Sequence, residues 1–242
     1  MCKEIRSLDC IFGNIVPDYT FVFGDYYKKL LTEKGGYEKD SVISTGNLSL
    51  MNLDKIRKNY NRKDMLEQKQ IPDEKIILVP LSFRLAYHKN NPDRKILDEL
   101  YSKLRDSKVV ILVRPHPGDS INKEKFKDLF PAKNFLFSEN TIMDDLILSD
   151  LVVAPPITTI SSEAALYEKP ILLVNVVDDD MSSYDDIYQE IVRSGIAKFS
   201  SLDDLIHNVE LIKKGELWNT NKSEKRIEFL KSYYNKIGRA HV

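Results

Sequence analysis

Short apolar runs alternate with longer amphipathic segments from Lys75 to the end of the chain. The runs are continuously apolar, which is typical of strands buried on both faces. The segments between them place apolar residues at helical spacing, as in Leu97, Leu100 and Leu104 after Pro92. This alternation predicts the α/β class, with a Rossmann-like parallel sheet and helices on both faces. The predicted strands are Ile76–Leu81, Val109–Val113, Phe135–Phe137, Leu151–Ala154, Ile171–Val174 and Ala197–Phe199.

One stretch combines two of these strands with a loop rich in hydroxyl groups. Pro155 and Pro156 end the strand Leu151–Ala154, because proline cannot donate to a strand ladder. The pattern predicts that the next helix begins at Glu163 and that hydroxyl residues stand at its entrance. Free N–H groups at such an entrance can bind phosphate, whereas the same hydroxyls could simply cap the helix, and both interpretations stay open. The hydroxyl residues are Thr158, Thr159, Ser161 and Ser162.

The sequence pattern predicts fewer helices and strands in the first part of the chain than in the rest. Residues 1–48 contain two short β-rich runs and one helix, from Asp25 to Thr32, which Gly35 and Gly36 stop. Two strands and one helix cannot bury a core of their own, so we interpret 1–48 as the end of an incomplete preceding domain. Residues 49–74 are polar and predict a linker or helix between domains. Residues 75–205 form the predicted Rossmann-like domain, and helices follow in 206–235.

Composition narrows the class of protein. The chain has 242 residues, of which 42% are hydrophobic and 30% charged, with a formal net charge of −1. That charge argues against a nucleic-acid binder driven by a basic field. No apolar run approaches the roughly 20 residues that span a bilayer. Cys2 and Cys10 suggest neither a disulfide framework nor a zinc site, so a cytoplasmic location is expected, with association at the inner face of the membrane left open.

The segment Arg114-Pro115-His116-Pro117-Gly118-Asp119 directly follows a predicted buried strand. It therefore lies at the carboxyl edge of the sheet, where ligands bind in open α/β proteins. Two prolines fix the backbone around His116, whose ring could donate a hydrogen bond to a phosphate. The alternative is a loop histidine that bonds only to neighbouring backbone groups.

Two further charged residues lie at the same predicted edge. Arg84 follows the strand Ile76–Leu81 and could clamp a phosphate, although it could also be merely solvated. Glu163 could accept hydrogen bonds from ribose hydroxyls or simply favour the helix dipole. Asp178-Asp179-Asp180 is interpreted as a solvated acidic turn rather than a metal site. No metal and no cofactor are predicted.

These residues resemble a known family of enzymes. The loop at 114–119, together with Ser149-Asp150-Leu151-Val152-Val153-Ala154 and the segment from Thr158 to Leu172, resembles the second domain of GT-B type glycosyltransferases. That group includes surface-polysaccharide glycosyltransferases, CDP-glycerol glycerophosphotransferases and UDP-N-acetylglucosamine 2-epimerases. The runs Phe21-Val22-Phe23-Gly24 and Val42-Ile43-Ser44-Thr45-Gly46-Asn47 resemble the last strands of their first domain.

The resemblance implies a function and a set of site residues. The chain would be the C-terminal half of a GT-B fold, with a remnant of the first domain, and would bind a UDP-, CDP- or CMP-linked sugar for transfer to a glycan acceptor in capsule or surface polysaccharide synthesis. A glycerophosphotransferase, an epimerase-like enzyme and a noncatalytic sugar-nucleotide-binding module stay open. Most of the first domain is lacking, so the fragment alone is expected to be inactive; the resemblance identifies no catalytic residue. The implied nucleotide- and phosphate-binding residues are Arg84, Arg114, His116, Thr158, Thr159, Ser161, Ser162 and Glu163.

The last seven residues, 236–242, resemble the translation of a sequencing-library adapter. We expect them to be a non-native tail and exclude them from the reasoning on fold.

Overall fold

The structure is a computed structural model that describes residues 17–46, 60–81, 91–118, 121–156, 160–176, 186–216 and 224–234. Its strands are β1 (Thr20–Val22), β2 (Val42–Ser44), β3 (Ile76–Pro80), β4 (Val110–Arg114), β5 (Phe135–Phe137), β6 (Leu151–Ala154), β7 (Ile171–Asn175) and β8 (Ala197–Ser201). Its helices are α1 (Asp25–Glu33), α2 (Arg62–Gln68), α3 (Pro92–Leu104), α4 (Lys123–Leu129), α5 (Ile142–Leu148), α6 (Ile160–Leu166), α7 (Asp186–Arg193), α8 (Leu205–Lys213) and α9 (Glu224–Tyr234).

Strands β3 to β8 form one parallel sheet in the order β5-β4-β3-β6-β7-β8. Counted from β3, this is the order 3-2-1-4-5-6 of the doubly wound Rossmann fold. The prediction of an α/β fold with a parallel sheet is confirmed. The strand order reverses between β3 and β6, and the carboxyl ends of strands at such a reversal border the ligand crevice of open α/β sheets.

The strands at the centre of this sheet are buried on both faces. Every residue of β3 and β6 is buried, as the continuous apolar runs predicted. On one face, alternate strand residues pack with helix α3 in a single core cluster, to which α3 contributes Ile96, Leu97, Leu100 and Leu104. Helices α5 and α6 contact the same strands, α5 at β3 and α6 at β6 and β7. The helices therefore cover the sheet on both faces.

Amide and hydroxyl side chains set the starts of several helices. Asn91 accepts a hydrogen bond from the N–H of Asp93 at the start of α3, over 2.7 Å. Asn122 at α4 and Thr141 at α5 act in the same way on residues three positions later. These caps satisfy N–H groups that have no partner within the helix.

The described residues divide into two compact units, one comprising Met1–Tyr60 with Ile227–Val242 and the other Asn61–Arg226. Of the segment 49–74, expected to be a linker or helix, the structure describes residues 60–74. Helix α2 lies in the second unit, where Met65 and Leu66 are buried, and Arg62 pairs with Asp73 and Asp150. This part of the segment is folded because those two apolar side chains are removed from water.

The first unit contains a separate two-stranded parallel sheet, β1 and β2, and helix α1. Val22, Val42 and Leu31 form its small core, so one face of this sheet is covered. On the other face Phe21 and Ile43 are paired in register and exposed, with Tyr19 and Phe23 exposed beside them. Gly36 has a φ of +72°, the left-handed conformation that commonly ends a helix.

Helix α6 differs from its prediction at the start. It begins at Ile160, not at Glu163, so Ser161, Ser162 and Glu163 lie in its first turn rather than before or at its beginning. Serine fits there because the first N–H groups of a helix have no intrahelical partner and a hydroxyl can bond locally. The tail at 236–242 and the acidic turn Asp178–Asp180 lie outside the described residues. None of the described helices is long and apolar enough to cross a membrane.

Replacing Phe126 by Ala should lower the free energy of unfolding by roughly 3–5 kcal/mol, as measured by urea denaturation. Phe126 is fully buried, and its ring lies 5.4 Å from that of Phe130 and 5.6 Å from that of Phe137. Lys127→Ala, an exposed change on the same helix, should stay within about 0.5 kcal/mol. Equal effects of the two substitutions would show that α4 is not packed as described.

Candidate functional site

The reversal of strand order places the expected crevice at the carboxyl ends of β3 and β6. Arg84 follows β3, and Thr158 and Thr159 follow β6, so the sequence assigns all three to these two loops. They lie outside the described residues. The structure describes the neighbouring part of the same edge, which follows β4 and β5. It also describes the first turn of α6, which comes after β6 in the chain.

A cleft of roughly 350 Å³ opens at the carboxyl ends of β4 and β5. Its described lining consists of Arg114, Pro115, His116, Pro117, Ile121, Phe137, Ser138, Glu139 and Asn140. Backbone bonds fix both sides of the cleft, since Leu81 N–H donates to the Arg114 carbonyl and Ser138 N–H to the Val113 carbonyl, each over 2.8 Å. Residues 114–117 of the loop therefore border this cleft at the predicted edge.

His116 is exposed at this cleft, and one of its ring nitrogens has a local partner. Its Nδ1 accepts a hydrogen bond from the Gly118 N–H over 3.0 Å. This is the bond to neighbouring backbone that the alternative interpretation describes. The same bond also sets the orientation of the imidazole ring, because Nδ1 is held as the acceptor. The loop thus presents the His116 ring to the cleft in a defined orientation.

Arg114 is mostly buried and paired. Its side chain is 17% exposed, and Nη1 donates to the Asn140 carbonyl over 2.8 Å and to Asp145 Oδ2 over 2.9 Å. A guanidinium held in this way keeps its charge but loses rotational freedom. Arg114 therefore contributes a fixed positive charge to the cleft.

The described residues of α6 differ in their surroundings. Ser161 is fully buried, and the side chain of Ser162 is outside the described part of the chain. Burial raises the pKa of the Glu163 carboxyl, and the positive charge of Arg114 partly offsets that rise. The structure therefore brings Arg114 and Glu163 into electrostatic contact, and Arg114 and His116 into one cleft.

Three site residues were not found from the sequence: Ser138, Asn140 and Asp145. Asp145 is completely buried, and it accepts hydrogen bonds from the other two side chains as well as from Arg114. The sequence feature that could have indicated Asp145 is its position beside Leu146, on the buried side of a helix, because an aspartate is rarely buried there unless it is paired. Among the described residues no group of His, Cys, Asp and Glu is arranged to hold a metal ion.

No protein-family model and no curated protein matches this chain. Solved structures do match. The wall teichoic acid polymerase TagF is 16% identical at a TM-score of 0.61, over 92% of this chain and 54% of that one. A Staphylococcus aureus (S. aureus) MnaA–UDP co-structure is 16% identical at a TM-score of 0.57, and the match covers 91% of this chain and 56% of that one. The UDP-GlcNAc 2-epimerase of Methanocaldococcus jannaschii, in complex with UDP-GlcNAc and UDP, is 16% identical at a TM-score of 0.55. That match covers 88% of this chain and 60% of that one.

The chain shares the fold of a little over half of each of these GT-B-like structures. The predicted superfamily resemblance is thereby confirmed at the level of the fold, since identities this low concern architecture. The chain spans between 54% and 60% of the length of these solved structures, whereas nearly all of its own length is matched.

Replacing Glu163 by Gln should change how stability depends on pH. Because burial raises the folded-state pKa above the ordinary 4.5, the folded state binds more protons than the unfolded state between these two values. The stability of the unsubstituted protein relative to Glu163→Gln should therefore fall as pH rises from 4.5 through the raised pKa, and then level off. Urea unfolding at a series of pH values measures this.

The matched control is Glu124→Gln, an exposed glutamate in the first turn of α4. The same pH dependence in both variants, or a relative stability that rises with pH, would contradict the burial of Glu163.

Proposed function

We propose that this chain is the donor-binding portion of a nucleotide-sugar-dependent glycosyltransferase of capsule or surface polysaccharide synthesis. The observation that supports it best is the cleft at the carboxyl edge of a Rossmann-ordered sheet, which both His116 and the fixed guanidinium of Arg114 line. Donors and a positive charge at that edge suit an anionic diphosphate. The donor would be a UDP-, CDP- or CMP-linked sugar and the acceptor a glycan.

In the proposed reaction a sugar is transferred from the nucleotide to the acceptor, and negative charge develops on the departing nucleotide. Preorganised donors that stabilise this charge would be the main contribution of the site. His116 and Arg114 would act on the phosphates, and Glu163 would accept hydrogen bonds from the ribose. Arg84, Thr158, Thr159, Ser161 and Ser162 complete the proposed phosphate-binding set.

The domain assignment is part of this proposal. Residues 1–48 would be the end of an acceptor-side domain, 75–205 the donor domain and 206–235 the closing helices. The exposed apolar face of the β1–β2 sheet supports the first assignment, because parallel sheets are normally covered on both faces. Ile227–Val242 fall in the same compact unit as Met1–Tyr60, which suits helices that return to the first domain.

A CDP-glycerol-type glycerophosphotransferase is the second candidate. Its support is the similarity to TagF, which has also been solved as an H444N variant with CDPG, at a TM-score of 0.61 and 15% identity. The similarity to MnaA with UDP and to UDP-GlcNAc 2-epimerases favours a uridine nucleotide instead. Preference for a uridine nucleotide would therefore disfavour the CDP-glycerol candidate, whereas preference for CDP would be compatible with both candidates.

His116→Ala should weaken nucleotide binding on the order of tenfold to a hundredfold, because a charge-assisted hydrogen bond contributes roughly 1.5–3 kcal/mol. Titration calorimetry with UDP, CDP and CMP on both proteins measures it.

His207→Ala is the control, because His207 is an exposed histidine on α8 away from the cleft lining. Equal affinities for the three nucleotides in all three proteins, or equal losses in both variants, would count against the proposed site.

We also expect the 242-residue polypeptide by itself to transfer no sugar, although it binds the nucleotide. The reason is that in the resembling enzymes the first domain supplies the acceptor site. Release of UDP or CDP from the corresponding sugar nucleotide is the measurement. Turnover above that of the His116→Ala variant would refute this expectation.

A further inference from the structure

The buried carboxylate of Asp145 connects the two loops that line the cleft. It is 0% exposed, and its Oδ2 accepts from the Ser138 hydroxyl over 2.6 Å and from Arg114 Nη1 over 2.9 Å. Its Oδ1 accepts from Asn140 Nδ2, also over 2.9 Å. Arg114 ends β4, whereas Ser138 and Asn140 follow β5, so one side chain ties both sides of the cleft together.

Burying a carboxylate in this way costs free energy. A carboxylate removed from water loses a large hydration energy, which only complete pairing and hydrogen bonding offset. Apolar residues of similar size often stabilise a fold as well as a buried ion pair does. Stability alone therefore gives little reason for a charged group at this position, and the three partners of Asp145 all line the cleft.

The partners of Asp145 are themselves held by other contacts. Asn140 Oδ1 accepts from Lys69 Nζ over 3.0 Å, and the Asn140 carbonyl accepts from Arg114 Nη1. The backbone of Arg114 is bonded to Leu81 N–H. Asp145 completes this set, so the guanidinium of Arg114 has one defined position, from which its charge also reaches Glu163.

We propose that Asp145 is a positioning residue of the nucleotide site. It holds the Arg114 guanidinium and the Ser138–Asn140 wall in the geometry that binds the diphosphate, and it does not touch the nucleotide itself. This inference rests on the proposed function, in which the cleft binds a sugar nucleotide. It adds a residue and a role that the loops alone do not indicate.

A double-mutant cycle on nucleotide affinity separates positioning from a general structural role. UDP and CDP are titrated into the unsubstituted chain, Asp145→Asn, Arg114→Met and the double variant. Asp145→Asn should weaken binding on the order of tenfold, about 1.4 kcal/mol. In the Arg114→Met background the same change should have little further effect, because residues that act through one another are not additive. Equal losses in both backgrounds would overturn the proposal.

Asp150→Asn is the matched control. Asp150 is another aspartate paired with an arginine, but it is 24% exposed and lies before β6, at the opposite edge of the sheet, with Arg62 and Lys75 as partners. It should lower stability and leave the affinity unchanged. If its effect on affinity equals that of Asp145→Asn, the loss reflects general destabilisation and the proposal is overturned.

A second measurement distinguishes a failure of this inference from a failure of the proposed function. Nitrogen-15 NMR of the arginine side chains should show restricted rotation of the Arg114 guanidinium in the unsubstituted chain and faster rotation in Asp145→Asn. If neither UDP nor CDP binds the unsubstituted chain, the proposed function fails, whereas this restriction still supports positioning. An Arg114 signal that is mobile in the unsubstituted chain, or that does not change on substitution, would overturn it.

Should Asp145→Asn fail to fold, Ser138→Ala removes one partner of the same carboxylate with a smaller change. It should mobilise Arg114 in part and weaken binding less than tenfold, again only when Arg114 is present. An unchanged Arg114 signal in that variant would overturn the proposal.

Discussion

The parallel pairing of β3 with β6 is the constraint on which the arrangement of the site depends. Ile77 is paired with Leu151, and Leu78 with Val152, at the point where the strand order reverses. Both strands are completely buried, so their register is fixed by the core on each face. Because all six strands run the same way, every loop that leaves a carboxyl end reaches the same edge. The loop of His116 and the first turn of α6 thereby reach one edge from distant parts of the sequence.

In the described part of that edge, the guanidinium of Arg114 interacts with two acids. Arg114 is paired with the buried Asp145 and is close enough to Glu163 to oppose the rise of its pKa.

Similarity to the solved structures is confined to architecture, and the reason is physical. At 16% identity, the pattern of apolar strands and amphipathic helices is sufficient to specify a doubly wound sheet. Nucleotide choice depends on a few polar side chains at loop positions, which that pattern does not constrain. The proposed function therefore rests on the cleft at β4 and β5 rather than on the fold alone.

The sequence by itself determined the α/β class, all six strands of the main sheet and the edge at which polar loops gather, because continuous apolar runs and helical periodicity are local properties. It placed Arg114 and His116 after a strand end, and the structure puts both in one cleft. Only the tertiary structure decided the strand order, the start of α6 at Ile160 and the partners of Arg114. Asp145 lies 31 residues from Arg114 in the chain, and no local pattern joins them. Their contact arises because β5 lies next to β4 in the sheet, which only the folded chain establishes.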